Sequence, residues 1–319
     1  MTAMTRRELL CTAGALGLAA VLPKGLVAQQ RKVFALVPKL VGVPFFADVE
    51  AGCKEQAAKM GVECLFTGPT QVDEAEQVRV IRDLITRNVS GLAISPNNPE
   101  SVASAITAAQ AKGIPVITFD SDAPRSKRSA FVGTNNRGGG ELGGKAFRAA
   151  LPQGGTYAII TGGLAADNLN ERIAGFKAGL GDGFREVAGS PFPCEDDSSR
   201  AIQIIQDVLA RNPSLSGFFF SGGWPMFAPE AYNRAMRARA DDIKAGKFVV
   251  VSFDVQEPQL RLLKAGMATA LVGQRPRAMG AQSLIALNAL LAKESVPPVI
   301  DTGVDLVDAK NVDQFLSRS

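Results

Sequence analysis

The chain has 319 residues, 46% hydrophobic and 21% charged, a size and balance typical of a globular protein with two domains. Its formal net charge is only +4, so the composition indicates no nucleic-acid partner. The sequence contains no histidine, which excludes Ser-His-Asp and Cys-His catalysis and metal sites with histidine ligands.

The first 28 residues have the pattern of an export signal. Arg6 and Arg7 directly precede an apolar run from Leu9 to Leu22, which is too short to span a membrane but suits the hydrophobic part of a signal peptide. The arginine pair favours a twin-arginine (Tat) leader, with an ordinary secretory (Sec) signal as the alternative. We therefore expect cleavage near residue 28 and a mature protein in the periplasm.

The first predicted strand, Val33–Val37, is a short apolar run, as expected for a buried parallel strand. Apolar residues at spacings of three and four then predict a helix that begins at Pro44. The loop between them lies where open α/β sheets bind ligands. It carries Lys39, and the helix begins with Phe45 and Phe46. A cation beside two rings suits a polyhydroxylated ligand, and core packing of both rings is the alternative.

Strands and helices alternate along the rest of the chain, which indicates βαβ units and parallel sheets. In the first half the pattern predicts helices at 73–87 and 100–112 and strands at 62–66, 91–95, 114–119 and 130–133. In the second half it predicts strands at 156–161, 184–187, 217–220, 248–253 and 268–272, and helices at 166–180, 199–210, 230–240, 257–265 and 276–291.

Two similar segments indicate that the halves are related. Residues 114–120 and 248–254 are apolar runs that both end in Phe-Asp. We therefore expect Asp120 and Asp254 to face each other from opposing domains. The only tryptophan, Trp224, lies in a Gly-Gly-Trp-Pro loop after another predicted strand. We expect its ring to stack on the polyhydroxylated ligand, with packing between the domains as the alternative.

Outside the leader the chain has three cysteines, Cys53, Cys64 and Cys194, with no CxxC spacing. An odd number rules out complete internal pairing. Cys53 falls on the apolar face of the first helix, so we expect buried free thiols.

The glycine-rich segment 138–145 imitates nucleotide-binding motifs. It matches GxGxxG literally and comes close to a Walker A loop, but Ala146 stands where a Ser or Thr would ligate Mg²⁺. We interpret these glycines as sites of close helix packing, and we expect neither a cofactor nor a bound metal.

Several motifs together resemble the periplasmic sugar-binding proteins of ABC transporters, of the ribose-binding type. They are Pro-Phe-Phe at 44–46, Ile-Thr-Phe-Asp at 117–120, Val-Gly-Thr-Asn-Asn-Arg-Gly-Gly at 132–139, Glu-Arg at 171–172, Phe-Asp at 253–254 and Gly-Gln at 273–274. The resemblance implies the α/β fold of type I periplasmic binding proteins: two Rossmann-like lobes with parallel sheets, joined by three hinge crossovers. The N-terminal lobe would hold residues 31–134 and 275–300, and the C-terminal lobe residues 135–274 and 301–319. The implied ligand contacts are Phe45, Phe46, Asp120, Asp254 and Gln274.

The first loop is also similar to that of the binding protein for the furanosyl signal autoinducer-2. This resemblance implies ligand contacts at Lys39, Asp120, Asp167 and Asn168. The chain departs from the ribose-binding pattern at Val43, Ser121 and Asn170, where Asn, Arg and Arg are usual, so the sequence leaves the subtype open.

We therefore expect a monomeric, non-enzymatic receptor that captures a monosaccharide or similar small polyol and delivers it to a membrane permease. Asn170 joins Lys39, Asp120, Asp254 and Gln274 as an expected hydroxyl-binding residue. The alternatives are an autoinducer-2 receptor, a sensor that feeds a signalling partner, and a glycosidase that uses the paired carboxylates.

Overall fold

The computed structural model describes residues 31–317. The predicted leader, residues 1–28, lies outside the described residues, as do the last two residues of the predicted C-terminal lobe. Within 31–317, no helix is both long enough and apolar enough to cross a membrane.

The chain begins with strands and helices that alternate, except that the last two strands of this part follow each other directly. These are β1 (Val33–Val37), α1 (Pro44–Met60), β2 (Glu63–Phe66), α2 (Glu74–Thr86), β3 (Gly91–Ile94), α3 (Pro99–Ala111), β4 (Val116–Phe119) and β5 (Phe131–Gly133). Individual residues account for where the helices begin and end. The α1 helix begins at Pro44, as predicted, and Gly61 ends it with φ of 65°. Asp73 and Asn98 cap α2 and α3 by accepting hydrogen bonds from backbone N–H groups.

The alternation then continues in the second part of the chain. Its elements are α4 (Asn136–Ala150), β6 (Gly155–Thr161), α5 (Asp167–Leu180), β7 (Phe184–Glu186), β8 (Phe192–Pro193), α6 (Ser198–Arg211), β9 (Gly217–Phe220), α7 (Pro229–Ala235), α8 (Ala240–Lys244), β10 (Val249–Phe253), α9 (Glu257–Lys264), β11 (Ala270–Gly273), α10 (Pro276–Leu291), β12 (Val299–Asp301), β13 (Asp305–Val307) and α11 (Val312–Leu316).

The strands form two sheets with the same internal order. The first runs β12-β5-β4-β3-β1-β2 and is parallel throughout. The second runs β13-β11-β10-β9-β6-β7, with β8 beside β6, and only its β11–β13 pair is antiparallel. In each sheet the strand order reverses beside the first strand, β1 or β6, and doubly wound folds bind ligands at such points.

The chain passes between the sheets three times: after β5, after β11 and after β12. The α10 helix packs on the first sheet although it follows a strand of the second. This is the two-lobed architecture expected from the sequence. The three crossovers bring the carboxyl ends of both sheets' strands toward a shared cleft.

Both faces of each sheet are buried, which explains the near-continuous apolar strands. In β1, Phe34 and Leu36 pack in one core cluster while Ala35 and Val37 pack in another. This alternation is the two-residue period of an extended strand.

Tight packing of α4 against α5 accounts for the glycine-rich segment. A methyl group built on Gly140 or Gly144 would overlap backbone carbonyls of α5, and one built on Gly175 or Gly179 would overlap backbone carbonyls of α4. The segment is therefore a helix interface rather than a phosphate loop, as interpreted from the sequence.

The expectation of free thiols was wrong for two of the three cysteines. Cys53 and Cys64 form a disulfide that ties α1 to β2, with their Cα atoms 6.2 Å apart. Chain folding brings them together because β2 turns back along α1 immediately after the helix ends. Cys194 is a buried free cysteine, as expected.

The helix predicted at 230–240 is divided. The α7 helix ends at Ala235, a short 3-10 turn occupies Arg237–Arg239, and α8 follows. Side-chain contacts hold this shape: the Tyr232 hydroxyl donates to the Met267 carbonyl, and the Arg239 guanidinium lies over the Phe248 ring. Such contacts are not visible in an apolar periodicity.

Candidate functional site

A cleft lies where the carboxyl ends of the strands of the two sheets meet. Residues from both lobes and from the second crossover line it. They are Lys39, Leu40, Val43, Phe45, Phe46, Asp120, Asn168, Leu169, Arg172, Asp196, Gly222, Trp224, Phe227, Asp254 and Gln274.

Asp120 follows β4 and is 3% exposed. Its backbone is left-handed, with φ of 57°, a conformation that Asp adopts more readily than most residues. The carboxylate accepts a hydrogen bond from the Ser95 hydroxyl at 2.7 Å and one from the Asn168 amide at 3.1 Å. Because Ser95 follows β3 and Asn168 belongs to α5, this carboxylate connects the two lobes.

Asp254 follows β10, the strand of the second sheet that corresponds to β4, and it is also left-handed, with φ of 75°. Its carboxylate accepts from the Gln274 amide at 2.7 Å and from the Gly223 backbone N–H at 3.0 Å. Burial raises the pKa of this carboxyl, while Arg172 and the two hydrogen bonds oppose the rise. Asp120 and Asp254 thus enter one cleft from equivalent positions in the two sheets.

Arg172 on α5 is the hub of the polar network. Its guanidinium donates to the Asn136 side chain at 2.9 Å, to the Ser221 carbonyl at 2.9 Å and to the Gln274 side chain at 2.7 Å. It also lies 3.8 Å from an Asp120 carboxylate oxygen and 4.4 Å from the centre of the Phe253 ring. These contacts join both lobes and two of the crossovers in a single cluster.

Lys39 extends from the loop after β1 and is 4% exposed. Its ammonium donates to the side-chain amide oxygen (Oδ1) of Asn168 at 2.7 Å, a direct hydrogen bond across the cleft. Burial lowers the pKa of Lys39, and the nearby carboxylates of Asp120 and Asp196 oppose that shift.

Aromatic rings form the apolar part of the cleft. Phe45 and Phe46 are in edge-to-face contact with centroids 5.2 Å apart, and Phe46 packs in the same way on Phe119. Both rings belong to the core of the first lobe, which was the alternative interpretation of the sequence, and both also line the cleft. Trp224 likewise packs in the core of the second lobe while lining the cleft, and Gly222 gives its ring room.

Two residues singled out from the sequence lie outside this lining. Asp167 is half-buried at the first turn of α5 and lines a separate surface pocket with Asp122 and Glu171. Burial and those two carboxylates raise its pKa. Asn170 is exposed, and its amide donates to the Leu164 carbonyl. Successive residues of a helix are rotated by about 100° about its axis. The face of α5 that directs Asn168 and Arg172 into the cleft therefore leaves Asp167 and Asn170 pointing away from it.

Three polar residues at the site were not among those selected from the sequence: Arg172, Asp196 and Ser95. Arg172 belongs to the Glu-Arg motif at 171–172, which in the sequence contributes only to the family resemblance. Ser95 is the last residue of a predicted strand, a position that could have been read in the same way as Asp120. Asp196 gave no usable signal, because it lies in a loop with three successive acids.

A family model described as a periplasmic binding protein domain matches residues 34–295. Among curated relatives, the ribose import binding protein of Haemophilus influenzae is 25% identical over 282 residues, which cover 88% of this chain and 92% of that protein. The D-allose-binding periplasmic protein of Escherichia coli is 26% identical over 260 residues, 79% of this chain and 82% of that protein.

Solved structures show the same architecture. A solute-binding protein of an ABC transporter from Burkholderia graminis, in complex with D-arabinose, is 37% identical with a TM-score of 0.80, and the match covers 88% of this chain and 96% of that one. A solute-binding protein of an ABC transporter from Mycobacterium smegmatis, with bound glycerol, is 27% identical with a TM-score of 0.81, and the match covers 91% of this chain and 98% of that one.

Proposed function

The chain belongs to the periplasmic binding protein family, and we propose that it is the solute-binding component of an ABC transporter. It captures a monosaccharide or similar small polyol in the cleft between its lobes and delivers it to a membrane permease. The observation that carries this proposal is the entry of Asp120 and Asp254 into one cleft from equivalent strands, beside the rings of Phe45 and Trp224. Carboxylates accept hydrogen bonds from sugar hydroxyls, while rings cover the CH faces of a sugar.

We assign ligand contacts to the lining residues selected from the sequence: Lys39, Phe45, Phe46, Asp120, Asn168, Trp224, Asp254 and Gln274. Each polar member already has a protein partner, so the site is pre-organised and its groups are held at defined positions. A ligand that displaces these protein partners without replacing their hydrogen bonds would be strongly rejected, so specificity is expected to be sharp.

The lobes are proposed to comprise residues 31–134 with 275–300 and residues 135–274 with 301–319. Closure of these lobes on the ligand would be the only mechanical step, and the protein would act as a monomer that makes and breaks no covalent bond. Incubation with chromogenic glycosides checks the last point, since turnover that Asp120→Asn abolishes would instead favour a glycosidase.

We further propose export to the periplasm through the leader at 1–28. The Cys53–Cys64 disulfide supports this location, because structural disulfides persist in oxidising compartments. Replacing Arg6 and Arg7 together by lysine in the full-length chain, followed by cell fractionation, distinguishes a Tat leader, for which periplasmic protein should be lost, from a Sec signal.

A sugar panel tests the central proposal. The purified protein is mixed with D-arabinose, D-ribose, D-allose, D-fucose, glycerol and autoinducer-2, and its melting temperature is recorded. A ligand at 100 times its dissociation constant adds about 2.7 kcal/mol of stability, which is readily visible as a rise in Tm. Binding of none of these compounds would contradict the proposed function.

The panel includes autoinducer-2 because one observation favours it as a ligand. Lys39, Asn168 and Asp120 form a continuous hydrogen-bonded row across the cleft, and these are three of the residues implied by that resemblance. A larger shift with autoinducer-2 than with every sugar would make this protein a signal receptor instead.

A further inference from the structure

Asp196 lies in the loop between β8 and α6, and it lines the cleft. The residue is only 7% exposed. Its neighbour Asp197 has a structural task, since its carboxylate caps α6 by accepting from the Arg200 backbone N–H. The Asp196 carboxylate has no such partner: within residues 31–317 it accepts no hydrogen bond and forms no ion pair.

This carboxylate differs in that respect from the other two in the cleft. Asp120 is bonded by Ser95 and Asn168, and Asp254 by Gln274 and Gly223. A buried charged group without a partner is costly, and native proteins rarely retain one. The acceptor atoms of Asp196 are therefore available to a molecule that enters the cleft.

The charges around Asp196 restrict what that molecule can be. Among residues 31–317, the charged side chains that line the cleft are two cations, Lys39 and Arg172, and the three carboxylates of Asp120, Asp196 and Asp254. With all of them ionised, one negative charge is left over. An acidic ligand would add to this excess inside a poorly solvated space, whereas a neutral ligand that donates hydrogen bonds would not.

We propose that Asp196 is a ligand-contacting carboxylate that accepts hydrogen bonds from hydroxyl groups of an uncharged sugar and selects such sugars against acidic ones. This assignment rests on the proposed function and deepens it, because it names the charge class of the ligand. It also gives a purpose to a buried carboxylate that the fold itself leaves unpaired.

The Asp196→Asn variant tests the assignment. Asn keeps the shape of the side chain and tolerates the left-handed backbone of Asp196, where φ is 57°. Glu195→Gln is the matched control: Glu195 is the adjacent acid, is also left-handed with φ of 51°, and does not line the cleft. Affinities for D-arabinose, and for each other panel sugar that the wild type binds, are measured by calorimetry, and each variant is melted at pH 7.5 without sugar.

We expect Asp196→Asn to weaken sugar binding at least tenfold while its melting temperature equals or exceeds that of the wild type, because an unpaired buried charge has been removed. Glu195→Gln should bind within twofold of the wild type. The oxidised acid D-arabinonate should bind the wild type at least tenfold more weakly than D-arabinose, and this gap should narrow in Asp196→Asn.

Unchanged sugar affinity in Asp196→Asn would overturn the assignment. So would weaker binding accompanied by a lower melting temperature, which indicates a structural role, or tighter binding of D-arabinonate than of D-arabinose by the wild type. Failure of the wild type to bind any panel compound would instead contradict the proposed function, and this assignment with it.

Discussion

Asp120 and Asp254 show how single residues are specialised at this site. Both carry left-handed backbone, and both are buried with their carboxylates hydrogen-bonded. A left-handed backbone turns the chain sharply at the end of a strand and directs the side chain into the cleft. Asp and Asn occupy this region more easily than other residues with a Cβ atom.

At this scale we predict that Asp254→Asn weakens binding of D-arabinose about tenfold or more, since hydrogen bonds to charged groups contribute about 1.5–3 kcal/mol. Asn keeps the backbone conformation, but its NH2 group cannot accept one of the two hydrogen bonds that Gln274 and Gly223 donate to Asp254, so the melting temperature without sugar should fall as well. Asp254→Ala adds backbone strain of about 1–2 kcal/mol. Calorimetry and thermal melting measure the two effects. Asp182→Asn, at an exposed residue outside the cleft, is the control, and sugar affinity in Asp254→Asn equal to that of the control would remove Asp254 from the site.

A second residue-scale prediction concerns pH. Burial raises the pKa of Asp196 from 3.8 to about 6, with Asp120 and Glu195 adding to the rise and Lys39 and Arg172 opposing it. Because this pKa is higher in the folded chain than in the unfolded chain, Asp196 adds about 3 kcal/mol to the free energy of unfolding when it is protonated in both states, below about pH 4. This contribution is lost as the pH rises through about 6. In urea unfolding between pH 4 and pH 8, the free energy of unfolding of Asp196→Asn relative to that of the wild type should increase as the pH rises. A stability difference that does not vary with pH would contradict the raised pKa.

At the scale of elements, the α4–α5 contact depends on glycines at the interface. Gly140→Ala improves helix propensity by about 1 kcal/mol, so it would stabilise an exposed helix. Here the added methyl group overlaps the Arg172 carbonyl, and we predict a net loss of at least about 2 kcal/mol in the free energy of unfolding.

Urea unfolding measures the loss, and Lys145→Ala on the exposed face of α4 is the control. A stabilised Gly140→Ala variant would show that the helices are not in close contact.

The second element-scale prediction concerns the disulfide between α1 and β2. It closes a short loop, with a sequence separation of 11, and chain-entropy arguments assign such a crosslink about 3 kcal/mol of stabilisation. A reducing agent should therefore lower the melting temperature of the wild type. The double variant Cys53→Ala, Cys64→Ala should melt lower under oxidising conditions and should not respond to the reducing agent. An equal response of both proteins would mean that the bond does not form.

At the scale of the whole molecule, polar contacts hold the lobes together across the cleft. The Lys39–Asn168 and Asn168–Asp120 hydrogen bonds and the Arg172–Asp120 approach join them directly. The three crossovers are short, so rotation about them would open the cleft without disturbing either sheet.

We predict that a sugar which binds shifts the molecule toward this closed form, because only the closed form offers contacts from both lobes. Small-angle X-ray scattering should then show a smaller radius of gyration with saturating D-arabinose than without it. Asp254→Asn at the same sugar concentration should contract less, because less of it is occupied. An identical scattering curve with and without a sugar that calorimetry shows to bind would rule out closure as the mechanism.

The sequence by itself determined the strand-helix alternation, the two related halves and the pair of acids at their equivalent strand ends. Local patterns of the sequence, namely apolar periodicity and turn residues, specify these features. Most predicted element bounds lie within two residues of the observed ones. Family resemblance contributed the lobes and the crossovers.

Only the tertiary structure decided the rest. The Cys53–Cys64 bond, the division of the helix at Ala235, the outward position of Asn170 and the burial of Asp196 all depend on segments that meet through folding. The physical reason is that a side chain's partners, and the loss of water around it, are set by elements distant along the chain. The sequence alone therefore does not distinguish Asp196 from the acids beside it. Its role can be inferred only once the fold buries it without a partner.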